Sequence, residues 1–220
     1  MKKLILLLLF GMAITGYSQV IPGEEFSMMV KQALEEGQGA HESVVRSINE
    51  EFATSVWGKP IRMNDAEIVR FLQKSSGEKV SAGIDLTGQA GNGWVYAYDQ
   101  QAAADLLNGQ GVNVASSFNT LMITANQPLV QIEHQEDGKK TVMELHCPTQ
   151  EVLTRLRTGR KQSIEFLITG FKGSSSGANK VTGILTKVND EKQVSRCANG
   201  HEFDKALGYK FCPTCGEPLE

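Results

Sequence analysis

Cysteine is scarce in this 220-residue chain and unevenly placed: there are four, and none precedes Cys147. That excludes a lipid-modified cysteine near the start. No long apolar run follows residue 14, so no later segment reaches the roughly 20 apolar residues of a membrane-crossing helix. Positive charge is in short supply too: 22 basic residues face 25 acidic ones, for a net charge of −3. A mildly acidic chain is a poor generic ligand for nucleic acid or anionic lipid. The glycine- and serine-rich stretch 170–177 is not followed by Gly-Lys-Ser/Thr, so it is not a phosphate loop. Ser76-Gly77-Glu78-Lys79 has Ser-x-x-Lys spacing but no accompanying Lys-Thr-Gly, and reads as chance. His41 and His134 have no partners at metal-binding spacing.

What is present begins with Lys2 and Lys3, an apolar run from Leu4 to Ile14, and small or polar residues up to Gln19. This is the layout of a secretory signal peptide over residues 1–18, with Gly16 and Ser18 before a cut at Gln19. The expected mature protein is exported, periplasmic or secreted. Loss of Lys2 and Lys3 leaves 20 basic against 25 acidic residues, a net charge of about −5.

Helical periodicity then predicts an amphipathic helix over residues 24–36, carried by Phe26, Met29, Val30, Ala33 and Leu34. A second is expected over 42–57 with Val44, Val45, Ile48, Phe52 and Val56, ended by Gly58 and Pro60. Asn64 and Glu67 form an Asn-x-x-Glu capping pair, which predicts a third helix over 64–73 with Ile68, Val69, Phe71 and Leu72. Strands follow. A hairpin is expected over 79–98 around Asn92-Gly93, and another over 129–147 around Asp137-Gly138. Short helices are expected over 102–107 and 149–157, and strands near 112–114, 120–124, 163–171 and 181–188. A helix end and a glycine deliver the chain into a strand at Gly109, Gly159 and, more loosely, Gly77; the same turn is reused rather than a unit duplicated.

Chemistry concentrates in the tail, where Cys197-Ala-Asn-Gly-His201 is followed after ten residues by Cys212-Pro-Thr-Cys215-Gly216. A Cys-x-x-Cys-Gly turn aims two thiolates at one point, and the glycine permits the backbone twist behind them. Cys197 and His201 form a workable second pair, giving a Cys₃His set with every tetrahedral position filled by protein. A closed set is structural, because catalytic zinc keeps a position for water. The tail's few apolar residues (Phe203, Leu207, Tyr209, Phe211, Leu219) cannot by themselves offset the ordering of so many residues. Structural zinc, at about 10–16 kcal/mol, is a term of the needed size. The layout resembles zinc-ribbon domains. Two other readings stay open: a disulfide from Cys212 or Cys215 to Cys197 in an oxidising compartment, and a redox pair at Cys212 and Cys215.

Elsewhere, Met143, Leu145 and Cys147 share one face of a strand, so Cys147 reads as a buried inert thiol. Glu144 and His146 share the other face, which is expected to be solvated. Arg155, Arg157, Arg160 and Lys161 cluster at a helix end, where cations also suit the helix dipole.

Between residues 109 and 188 the order of strands, short helix, strand and strand resembles a small OB-type barrel, in particular the exported anticodon-binding-like OB family. There an N-terminal helix and a Tyr/Trp-Gly-Lys step precede the barrel, and Trp57-Gly58-Lys59 looks similar. The helix over 64–73 and the hairpin over 79–98 depart from that pattern. The expected class is therefore α+β: a signal peptide (1–18), N-terminal helices (19–58), a β-rich OB-like domain (59–190) and a zinc ribbon (191–220). The expected function is that of a non-enzymatic binding or interaction protein of the bacterial cell envelope, with structural Zn²⁺ and another envelope protein or ligand as partner. A hydrolase with dispersed residues, or a nucleic-acid binder, are the alternatives.

Overall fold

The structure is a computed structural model, described over residues 20–86, 100–117, 120–136, 138–174, 177–189, 194–204 and 210–218. The expected signal peptide, the glycine-rich centre and second strand of the 79–98 hairpin, and Asp137 of the second hairpin lie outside the described residues. Among the described residues, no helix is long and apolar enough to cross a membrane.

A two-residue strand β1 (Ile21–Pro22) leads into α1 (Gly23–Gly37) and α2 (Glu42–Val56). Both helices arise where the periodicity placed them, with Phe26, Val30 and Ala33 of α1 and Phe52, Ala53 and Val56 of α2 buried. His41 is the N-cap of α2: its Nδ1 accepts from the Ser43 amide at 3.3 Å, which satisfies one of the first-turn donors. Gly58, at φ 67°, turns the chain out of α2.

The next element is a long strand, β2 (Ile61–Lys74), not the helix expected over 64–73. Two irregularities explain the misreading. The register of β2 shifts against its neighbours between Met63 and Ala66, and again between Ile68 and Arg70. Each bulge adds a residue to the strand, so a spacing of two becomes three. Ile61, Met63, Ala66 and Ile68 are all buried on the core side, so the plain alternation of a strand is broken. The helical spacing lies in Ile68, Val69, Phe71 and Leu72, of which only Ile68 is buried. Asp65 carries the first bulge at φ 56°. The Asn64 side chain does not cap a helix: its Oδ1 accepts from the Ser163 hydroxyl across the sheet at 2.9 Å.

After β2 come β3 (Lys79–Val80), β4 (Gly83–Asp85), α3 (Gln100–Gly109), β5 (Val114–Ser117) and β6 (Thr120–Ile123). Then follow β7 (Gln127–Glu136), β8 (Lys139–His146), α4 (Gln150–Arg155), β9 (Lys161–Lys172) and β10 (Asn179–Asn189), with β11 (Val194–Arg196) and β12 (Glu202–Asp204) in the tail. The expected strand over 79–87 is two strands with different partners, since β3 pairs with β6 and β4 pairs with β9.

Strands β2, β7, β8, β10 and β9 pair in that order, and β9 pairs back onto β2. The result is a closed five-stranded barrel, in which β8 and β10 run parallel and the other neighbours antiparallel. It begins at residue 61 rather than near 109. The strands at 114–123 stand outside it, in a separate sheet ordered β3-β6-β5. Of the three repeated helix–glycine–strand steps, those after α3 and α4 form; at Gly77 the chain leaves a strand instead.

Two apolar cores follow from this layout. The larger fills the barrel and extends into α1 and α2 through Phe26, Phe52 and Phe171, whose ring centroids lie 5.6–6.2 Å apart. The smaller belongs to the insertion between β2 and β7. There Leu107, Val112, Leu121 and Ile123 pack together with Ile184 of β10. The insertion therefore covers part of the outer wall of the barrel, and the Thr182 hydroxyl donates to the Ser81 carbonyl at 3.0 Å across the same seam.

Candidate metal centre

The tail builds two similar turns. In the first, Gly200 N–H donates to the Cys197 carbonyl at 2.8 Å and Cys197 N–H to the His201 carbonyl at 3.1 Å. In the second, Gly216 N–H donates to the Cys212 carbonyl at 2.8 Å and Cys212 N–H to the Glu217 carbonyl at 2.7 Å. Gly200 and Gly216 sit at φ 78° and 73°, a region costly for a residue with a Cβ. The first turn joins β11 to β12, which pair antiparallel; the second is closed by a bridge between Phe211 and Pro218.

These turns bring Cys197, His201, Cys212 and Cys215 together, with one ligand atom from each and all within 4.8 Å of one another. Cys197 Sγ lies 3.5 Å from His201 Nδ1 and 3.7 Å from Cys215 Sγ. A tetrahedral zinc with bonds of about 2.3 Å to sulfur and about 2.0–2.1 Å to nitrogen requires edges of about 3.6 Å and 3.8 Å. The donor set thus has the chemistry of a small tetrahedral cation site, these two edges have the required lengths, and the group can hold a metal ion such as zinc. The sulfurs are unbonded thiols at this separation, against about 2.05 Å in a disulfide. Cys197 and Cys212 are buried, whereas Cys215 is exposed.

The electrostatics differ between the thiols. Cys215 is drawn down to about 6, first by the Asn199 carboxamide, whose Nδ2 donates to Sγ at 3.5 Å, and then by the Glu217 backbone. Burial pushes Cys197 the other way. Asn199, between the first pair of ligands, therefore stabilises a thiolate on the second. Sequence reading passed over it, because the contact spans sixteen residues.

The remaining candidates fall elsewhere. Cys147 is buried in the barrel core with its thiol pushed up to about 12, chiefly by burial, as an inert thiol should be. His146 does point away from that core, but it is buried rather than solvated, at 2 % exposure. Its strand neighbour Ile184 belongs to the insertion's core, so the insertion has closed over this face. Glu144 and His146 thus form no exposed pair. Arg155 pairs with Glu151 at 2.7 Å, and Arg157 bonds the Thr154 and Leu156 carbonyls, so both serve the end of α4. Ser76 of the Ser-x-x-Lys match donates its hydroxyl to the Thr124 carbonyl.

The buried His146 makes stability depend on pH. Burial, and secondarily the Lys74 ammonium, lower its pKa from 6.5 to about 4. Below pH 6.5 the unfolded chain takes up a proton that the folded chain refuses until about pH 4. The unfolded state then binds more protons, and stability falls as pH falls through that window. The expected loss is about 3 kcal/mol between pH 6.5 and 4. Denaturant melts at both pH values measure it, and His146→Asn should remove that share of the slope. Equal slopes in the two proteins would dismiss His146 as its source.

A second concave region lies beside the β2 bulge. This cleft of about 670 Å³ is lined by the start of α1, by Asp65 and Glu67 of β2, by Glu133 and His134 of β7, and by Lys140 and Lys161. Lys140 pairs with Glu133 at 2.7 Å, while Arg62 turns its guanidinium to Glu165, also at 2.7 Å. No serine, threonine, cysteine or tyrosine is among the described residues lining it. Compared with known protein families, curated proteins and solved structures, the chain has no match.

Proposed function

We propose that this is an exported, non-enzymatic binding or interaction module of the bacterial cell envelope: an OB-type barrel carrying a C-terminal zinc ribbon whose metal is structural. The observation that carries the reading is the closed Cys₃His cluster. Its four donors are all protein atoms within 4.8 Å of one another, so an ion held by all four would keep no position for an activated water. Zinc here ties two turns together and does no chemistry. The OB assignment is supported by the barrel order, by the parallel β8–β10 pair, by α4 between the third and fourth barrel strands, and by Trp57-Gly58-Lys59 leading from α2 into the first. In OB folds the second and third strands form the ligand face. Here the end of the third strand, at His146, is under the insertion, and the chain is acidic. Both facts weigh against nucleic acid as the partner and leave an envelope protein or a small ligand.

A hydrolase reading has one observation in its favour, the cleft that collects His134 with Glu67 and Glu133. Its described lining residues include no hydroxyl or thiol nucleophile, so such a hydrolase would work through the carboxylates and His134 rather than through a serine or cysteine.

Metal analysis of the purified mature protein with a thiol count tests the proposal. One zinc per chain is expected, lost on chelation, after which four thiols titrate in denaturant. Two thiols and no zinc would mean a disulfide and would end the ribbon reading.

A further inference from the structure

The three thiols of the metal centre are not equivalent. Cys197 and Cys212 are 7 % and 2 % exposed, whereas Cys215 is open to solvent. The Cys215 sulfur lies 3.7 Å from the Cys197 sulfur, across the gap between the two turns and eighteen residues away in the chain. An exposed thiolate is the one a small oxidant reaches, and a second thiolate in van der Waals contact is placed to resolve the product. We propose that Cys215 and Cys197 form an oxidation site, at which a peroxide converts the metal-held tail into a disulfide-held one. This rests on the metal reading above and extends it.

The chemistry balances with hydrogen peroxide as oxidant. Cys215 Sγ attacks one peroxide oxygen, the O–O bond breaks, and hydroxide leaves, giving a sulfenic acid at Cys215. Cys197 Sγ then attacks the Cys215 sulfur; the S–O bond breaks, a second hydroxide leaves, and the S–S bond forms. Two electrons pass from the two sulfurs to the peroxide, which with two protons ends as two waters. Both sulfurs lose the charge that binds a cation, so the metal, left with one thiolate and one imidazole, is released. The new bond joins the first turn to the second and keeps them tethered once the metal has gone. A bond within the second turn, from Cys212 to Cys215, would not do this.

The experiment uses the full chain loaded with Zn²⁺ and treated with hydrogen peroxide. A chromogenic chelator follows metal release, and alkylation with peptide mapping locates the disulfide. The expected result is loss of the bound zinc, a Cys197–Cys215 cross-linked peptide, and alkylation at Cys147 and Cys212. Dithiothreitol with added Zn²⁺ should restore the starting state, and Cys147→Ser should leave both readouts unchanged. Retention of zinc at peroxide levels that oxidise free cysteine, a Cys212–Cys215 cross-link, or a sulfinic acid at Cys215 without cross-link would each overturn the proposal. Metal content measured before peroxide separates the two readings. A chain without metal at the start overturns both, whereas a loaded chain that resists peroxide overturns this one alone.

Discussion

Replacing Cys212 with serine is expected to reduce bound zinc from one per chain toward none and to unfold the tail, while the barrel's melting transition stays where it was. The expectation follows from how little else holds the tail. Among the described residues, neither apolar core contains one beyond Val188. β11 and β12 pair with each other and with no other strand among the described residues. Beyond residue 190, the buried hydrophobic positions described are Cys197 and Cys212, both members of the Cys₃His group. On the metal reading, the described part of the tail owes its order to the ion, at about 10–16 kcal/mol for small structural zinc sites. Serine is too hard and too weakly acidic a ligand to replace the thiolate. Limited proteolysis within residues 194–218 and zinc content read the local effect, and calorimetry reads the barrel. A variant that keeps a full zinc and its protease resistance would remove Cys212 from the ligand set.

The second large effect is expected at the other end of the molecule. Phe171→Ala should destabilise the barrel by about 3–5 kcal/mol and lower its melting temperature by on the order of 10 °C. Phe171 is fully buried where β9 meets both N-terminal helices. Its ring lies 6.2 Å from Phe26 in an edge-on arrangement and 5.6 Å from Phe52. Truncation removes the transfer free energy of the ring and leaves a cavity that three separate elements border, so the site cannot collapse cheaply. Because the helices reach the barrel core through this cluster, the loss should appear in one cooperative transition, with helical and sheet signals melting together. An unchanged midpoint, or helices that melt well ahead of the sheet, would show that the cluster does not couple them.

The pattern of legible and illegible features follows the range of the interactions involved. The centre could be read because each of its turns is local: Cys197 to His201 and Cys212 to Gly216 each span five residues, and turn chemistry acts over that distance. Helices α1 and α2 could be read because each buries one continuous stripe. β2 could not. Its two bulges are set by pairing with β7 on one side and β9 on the other, partners that lie some sixty and a hundred residues away. Without them Ile68, Val69, Phe71 and Leu72 carry a spacing that suits a helix. The OB-like domain was expected over 59–190, but its first strand, β2, was read as a helix for the same reason.

His146 marks the boundary between the two kinds of information. Alternation along β8 correctly put it on the face away from Cys147, because the side-chain period of a strand is a property of the backbone. Whether that face meets water depends on the insertion, whose core reaches it through Ile184. By itself, then, the sequence determined the grouping of Cys197 with His201 and of Cys212 with Cys215, the two turns that carry them, the two N-terminal helices and the facing of strand residues, all of which arise from contacts within a few residues. Only the tertiary structure decided that 61–74 is a strand, that the barrel closes through β9 onto β2, and that the outer wall of the barrel is partly covered. Those outcomes are chosen by which distant segments bury one another's apolar surface, and no short stretch of sequence encodes that choice.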